Sequence, residues 1–171
     1  MADPRKLIPF ILKWEGGFVN DPDDLGGATN KGITIGTFGE YRKRKGLPSP
    51  TVQDIKNLSD KDWYEIFKTL YWDRWKADKI KSQSVADILV DWVWASGVHG
   101  IKRPQRILGV SPDGIVGSKT IAAINAADPK KLFDAIKADR KKFIEEICKV
   151  CPKKEKYRRG WMNRINAIVY E

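Results

Sequence analysis

An all-α fold is what this sequence predicts, with a small irregular or β-containing loop after the first helix. Three observations lead there. Apolar residues recur at helical spacing through most of the 171 residues. Turn-forming Gly, Asp and Asn concentrate in one stretch, 17–36. Within it only two short runs, Phe18-Val19 and Ile33-Thr34-Ile35, suit strands.

The helices follow in order. Asp3 can cap a first helix with Pro4 at its first position. Leu7, Ile8, Ile11 and Trp14 form its apolar face. Gly16-Gly17 is expected to stop it through left-handed dihedrals. Thr37-Phe38-Gly39-Glu40 fits a capping box for a basic helix to about Lys45. A brief turn is expected at 52–57. Ser59 caps a helix whose buried stripe is Trp63, Ile66, Phe67, Leu70 and Tyr71. A helix over 84–96 follows, with Val85, Ile88, Leu89, Trp92 and Val93 on one side.

Gly97 and Gly100 flank a hinge, so two domains are expected: 1–96, and a helical 97–171 packed on the first. The second begins with a short helix near 102–108 and the turn Ser111-Pro112-Asp113-Gly114. A helix from Ser118 to Ala126 comes next. Asp128-Pro129 starts the longest helix, to about Val150, with Leu132, Ile136, Asp139, Phe143 and Ile147 along one face. Pro152 ends it, and a final helix covers 154–170.

The net charge of +10 favours polyanionic partners: nucleic acid, anionic membranes or cell-wall polymers. No nucleic-acid motif accompanies it, and no apolar run approaches the ~20 residues of a membrane span. Nucleic-acid binding and stable membrane insertion are therefore not expected, and the protein is expected to be a monomer. Leu7 to Leu12 contains Pro9 and lacks a cleavage site after it, which makes a poor signal peptide. Action outside the cytoplasm then requires release or another export route. Cys148 and Cys151 form a C-x-x-C at a helix end, and the only histidine is His99. Four zinc ligands are not at hand, so no metal or cofactor is expected.

The chemistry centres on Glu15, at the junction of the first helix and the loop. The helix macrodipole disfavours a carboxylate there, and burial beside Trp14 would act the same way. Both favour the protonated form that a general acid needs. A surface glutamate beside a helix stop is the plainer reading. Asp21, Asp23 and Asp24 could supply a second carboxyl group for glycoside cleavage, or serve only the turn. Thr29 and Thr34 could position a water or a sugar hydroxyl, or satisfy loop backbone. Trp14, Trp63 and Trp92 are expected in the core. Tyr71, Trp72 and Trp75 are too close together to all face inward, so one of them suits a sugar-stacking role.

Glu15-Gly16-Gly17-Phe18-Val19-Asn20-Asp21-Pro22, with Asp24, Gly26-Gly27, Thr29 and Gly32-Ile33-Thr34, resembles the EGGY-type signature of the glycoside hydrolase family 108 N-acetylmuramidases. Phe18 stands where that motif usually has Tyr, keeping the ring and losing the hydroxyl. Leu70-Tyr71-Trp72 and Asp91-Trp92 resemble the family's helical half. Residues 97–169 are similar to its accompanying peptidoglycan-binding domain through Leu108-Gly109, Asp113 to Thr120 and Gly160 to Arg164.

The resemblance implies a lysozyme-like α fold that hydrolyses the β-1,4 bond between N-acetylmuramic acid and N-acetylglucosamine, with peptidoglycan glycan strands as partner. It maps the essential acid onto Glu15. It favours Asp24 with Thr29 as a supporting or water-positioning pair, with Asp21 as rival, and Thr34, Tyr71 and Trp72 as substrate contacts. It also implies an endolysin-like or prophage-type bacteriolytic role at the wall or in the periplasm. A lytic transglycosylase on the same bond and a non-catalytic wall-binding module are the alternatives.

Overall fold

The computed structural model describes residues 1–22 and 26–171. Asp23, Asp24 and Leu25 lie outside the described residues. The fold is mostly α, in the lysozyme-like manner, with one two-stranded antiparallel sheet. The chain forms two compact units, Pro4–Asp73 and Arg74–Glu171, the latter including Met1–Asp3.

The first unit opens with a 3-10 turn, Pro4–Lys6, before helix α1, Ile8–Trp14. Pro4 therefore does not begin the main helix, and Pro9 sits in α1's first turn, where no backbone N–H is needed. Strands β1, Thr29–Asn30, and β2, Ile33–Thr34, pair with Thr29 opposite Thr34 and Asn30 opposite Ile33. Lys31 and Gly32 between them both have positive φ, 50° and 82°, the pattern of a type I′ hairpin turn.

Helix α2, Ile35–Arg44, is capped by Thr34, whose Oγ1 accepts from the Thr37 N–H at 3.1 Å. The cap expected at Thr37 thus falls three residues earlier, because the strand delivers Thr34 in the extended geometry an N-cap requires. Helix α3, Val52–Lys56, carries a capping box between Thr51 and Asp54. Helix α4, Asp60–Phe67, is capped by Ser59. It runs into a π-helical turn, Lys68–Trp72, and a 3-10 turn, Asp73–Trp75.

The second unit is built on α5, Gln83–Ser96, which is hydrophobic nearly all round and packs against both α6, His99–Leu108, and α8, Pro129–Val150. Helix α7, Ser118–Ala126, and α9, Glu155–Ala167, complete it. A Cβ on Gly100 would lie 2.7 Å from the Trp92 carbonyl carbon and the Val93 nitrogen. The glycine is what allows α6 to approach the α5 backbone. The α8 stripe expected through Asp139 is rotated by one residue: Leu132, Ile136, Arg140, Ile144 and Cys148 are buried. Asp139 lies at the edge, where Arg103 of α6 makes a bidentate pair with it at 2.7 and 2.9 Å. Cys148 and Cys151 are free thiols. Among the described residues no helix is long and apolar enough to cross a membrane.

Candidate active site

Glu15 is positioned by the end of α1. Its N–H still bonds to the Ile11 carbonyl at 3.0 Å, while its own backbone is already extended, at φ −97° and ψ 143°. Leu7 and Ile11 are buried, and the Phe10 and Trp14 rings meet at 6.3 Å. The carboxylate therefore leaves a fixed last rung of the helix and is half-buried. The helix ends at Glu15 itself. Gly16 and Gly17 have no positive φ, contrary to the expected left-handed stop. Once Glu15 turns extended, the chain has left the helix without help from glycine.

The loop after Glu15 is tied back to the hairpin. Val19 and Thr29 exchange backbone hydrogen bonds at 2.9 and 2.8 Å. Paired residues on adjacent strands share a face, so Val19, Thr29 and Thr34 form a row. Four residues span at most about 14 Å, which bounds the distance from Glu15 to that row. The row is held from beneath. Buried Asn30 donates from Nδ2 to the Ile55 and Lys56 carbonyls at 3.0 and 3.1 Å, satisfying the end of α3. Trp63 of α4 donates from Nε1 to the Lys31 carbonyl at 3.0 Å. Phe18 is half-buried, with the Lys56 ammonium 5.8 Å from its ring centroid.

These contacts bring Glu15, Thr29 and Thr34 onto one loop and hairpin of the first unit. Thr34 also has a structural duty, since its hydroxyl both caps α2 and donates to Thr37 Oγ1 at 3.0 Å. Asp21 is exposed on the same loop. Asp24 falls outside the described residues.

The π-helical turn decides the aromatic residues. A wide turn shifts the helical register by one residue, and Trp72 and Trp75 both become fully buried. Both tryptophans therefore face inward and Tyr71 does not join them, so the three do not all point to the core. Trp72 lies 6.3 Å from Phe67, ring to ring, and offers no face to a sugar as it stands. Tyr71, half-buried, is the more accessible neighbour.

Two polar clusters escaped sequence reasoning. Tyr41 donates to Glu65, and Lys45 donates to both, at 3.0 Å to Glu65 and 3.2 Å to Tyr41. The Tyr41 bond, then Lys45, holds the Glu65 carboxyl below its ordinary range, while burial, then Glu65, pushes the Tyr41 phenol up. In the second unit Asp91, 0% exposed, accepts from Arg140 of α8 at 3.1 Å and from Arg164 of α9 at 2.7 Å. Burial pulls the Arg140 guanidinium below its usual value, opposed by Asp91. A charge inside the apolar run Ile88-Leu89-Val90-Asp91-Trp92-Val93 was the available signal. A buried carboxylate needs cationic or hydrogen-bonding partners.

A mostly helical fold with one small two-stranded antiparallel sheet is of the lysozyme-like class. Residues 8–97 match the model for Glycosyl hydrolase 108, and the chain belongs to that family. Residues 99–166 match the Predicted Peptidoglycan domain. Among solved structures, the chain is similar to SagA of Brucella abortus at 26% identity and a TM-score of 0.81, over 96% of this chain and 90% of that one. No curated protein sequence matches the chain. The chain is thus a glycoside hydrolase, and peptidoglycan is its substrate.

Proposed function

We propose that the chain is an N-acetylmuramidase, a lysozyme, that hydrolyses the β-1,4 bond between N-acetylmuramic acid and N-acetylglucosamine. The observation that carries this reading is the placement of Glu15. It is a half-buried carboxyl group fixed to the last rung of α1, followed by two glycines that crowd nothing, on a loop bridged to Thr29. Glu15 gives its proton to the glycosidic oxygen as the C1–O bond breaks. A second carboxylate, Asp24 or Asp21, stabilises the positive charge developing on the ring or takes a proton from the incoming water. Water adds at C1, with Thr29 orienting it. Thr34 and Tyr71 contact the sugars, and Trp72 anchors the turn that presents Tyr71. The catalytic part is 1–96 and the wall-binding part 97–171. The enzyme works as a monomer at the wall or in the periplasm after release or export, in bacteriolysis or remodelling.

The test is Glu15→Gln, assayed on purified sacculi beside the wild type. The variant keeps its melting temperature and loses at least about 10²-fold in activity, the scale of general acid catalysis. Near-normal lysis by the variant would sink the assignment. Mass spectrometry of the wild-type products supplies the second half. Reducing muropeptides are expected, whereas anhydro products, one water lighter, would make the chain a lytic transglycosylase.

A further inference from the structure

The second unit contains a cavity of about 410 Å³ that the proposed hydrolysis does not use. Its volume lies at the small end of ligand pockets, which run from about 300 to 1,000 Å³. The walls are aromatic, from Trp92, His99, Phe143 and Trp161. Its floor is cationic. Arg140 lines it at 3% exposure, joined by Arg164 and the exposed Lys154. Among the described residues no carboxylate lines it.

Arg140 carries the argument. Its Nη1 donates to Asp91, but Asp91 is shared with Arg164, so one carboxylate serves two guanidinium groups. The Nε–H of Arg140 is buried and has no hydrogen-bond partner. A buried, unsatisfied donor on a charged group is costly, and native structures rarely leave one without a ligand, a water or another reason. A neutral sugar would leave two guanidinium groups sharing the single carboxylate of Asp91. An anion with apolar flanks satisfies both the donor and the aromatic walls.

We propose that this cavity binds a short peptide by its free carboxylate, which accepts from Arg140 Nε while the adjoining side chains pack on Trp92, Phe143 and Trp161. The ligand class is the acidic peptide side chain of peptidoglycan, as distinct from its glycan. This rests on the reading of the chain as a peptidoglycan hydrolase. It gives the second unit a task of its own: recognising peptide-bearing wall, whatever bond the first unit cuts.

The experiment uses the full chain and three soluble probes: the tetrapeptide L-Ala-γ-D-Glu-L-Lys-D-Ala, its fully amidated form, and chitotetraose. Calorimetry is expected to give saturable binding of the acid tetrapeptide, at least tenfold tighter than the amide, with no binding of chitotetraose to the cavity. The Arg140 Nε–H resonance moves on titration with the tetrapeptide. Arg140→Lys removes that donor and weakens binding at least tenfold. Because the variant also disturbs a buried ion pair, Ser96→Trp is made alongside it. Ser96 is a half-buried lining residue, so the indole fills the cavity, and a variant that melts cooperatively and binds tenfold more weakly supports the assignment. Equal binding of acid and amide, undiminished binding by folded Ser96→Trp, equal competition by inorganic phosphate, or no saturable binding by the wild type would each overturn it. Glu15→Gln separates the two readings. It loses hydrolysis and keeps the tetrapeptide affinity, so failure of the muramidase reading leaves the binding result standing, and the reverse.

Discussion

Neither Gly16 nor Gly17 adopts a positive φ, and a Cβ on either would meet nothing within 4 Å. The fold therefore does not ask for glycine at these positions. A substrate would, because a bulky glycan strand must approach the carboxylate of Glu15 from open ground. Gly16→Ala and Gly17→Ala should leave stability unchanged or raise it by about 0.4–1 kcal/mol, since alanine restricts the unfolded chain. The same changes should lower wall lysis by at least about tenfold if misplacement of the substrate dominates. Melting curves and turbidity assays on each variant check the two effects separately. Loss of stability without loss of activity would show that the glycines serve the backbone after all. At this scale the place of Glu15 at a helix end was legible in the sequence, because an apolar helix precedes it and a glycine pair follows. Which aspartate is its partner was not legible, because Asp21, Asp23 and Asp24 look alike in one turn-rich loop.

Elements were legible where a local signal sets them. Ser59 and Asp128 cap their helices as residue type dictates. They were illegible where a neighbour or a register shift decides. The π-helical turn at Lys68–Trp72 has no signature in the residue pattern, and the α8 stripe follows Arg140 because Asp91 waits for it on α5. Gly100 is set by such a neighbour. Gly100→Ala would drive a methyl group into the α5 backbone at 2.7 Å, and backbone cannot step aside as a flexible side chain can. A loss of about 1–3 kcal/mol is expected from overpacking, read by denaturant melts, with α6 protection in hydrogen exchange falling first. The α2–α4 group has a different sensitivity. Glu65 is held low by Tyr41 and Lys45, and Asp54 is held low by the Thr51 backbone N–H first. A carboxyl group lowered in the folded state contributes stability above its unfolded value of about 4. That contribution is lost as pH falls through the folded value. Stability should therefore hold from neutral pH down to about 4 and decline below it. Glu65→Gln should remove part of that acid limb, measured as melting temperature against pH; an unchanged limb would remove Glu65 from the account.

At the scale of the whole molecule, charge is the property the sequence states most directly, and its use is the least local. Lys and Arg number 32 against 22 Asp and Glu. Many of the cations are spent in pairs. Arg103 serves Asp139 and Glu146, Arg158 serves Glu145 and Glu155, and Lys130 serves Asp134. The exposed pairs among them contribute only about 0–1 kcal/mol each, so they do not explain why so basic a surface is kept. The excess of +10 survives every internal pairing, because each pair removes one charge of either sign. A peptidoglycan layer carrying carboxylate and phosphate groups attracts such a surface over a distance set by the ionic strength. Screening shortens that reach from about 10 Å at 0.1 M to about 3 Å at 1 M. Binding of the inactive Glu15→Gln chain to sacculi should therefore weaken steadily with added salt. The tetrapeptide affinity of the Arg140 cavity should fall less, since Arg140 itself is buried and buried charges are screened less. Pelleting assays and calorimetry across one salt series compare the two. If sacculus binding were indifferent to salt, the net charge would have no part in finding the wall, and the aromatic cavity would have to account for the attachment by itself.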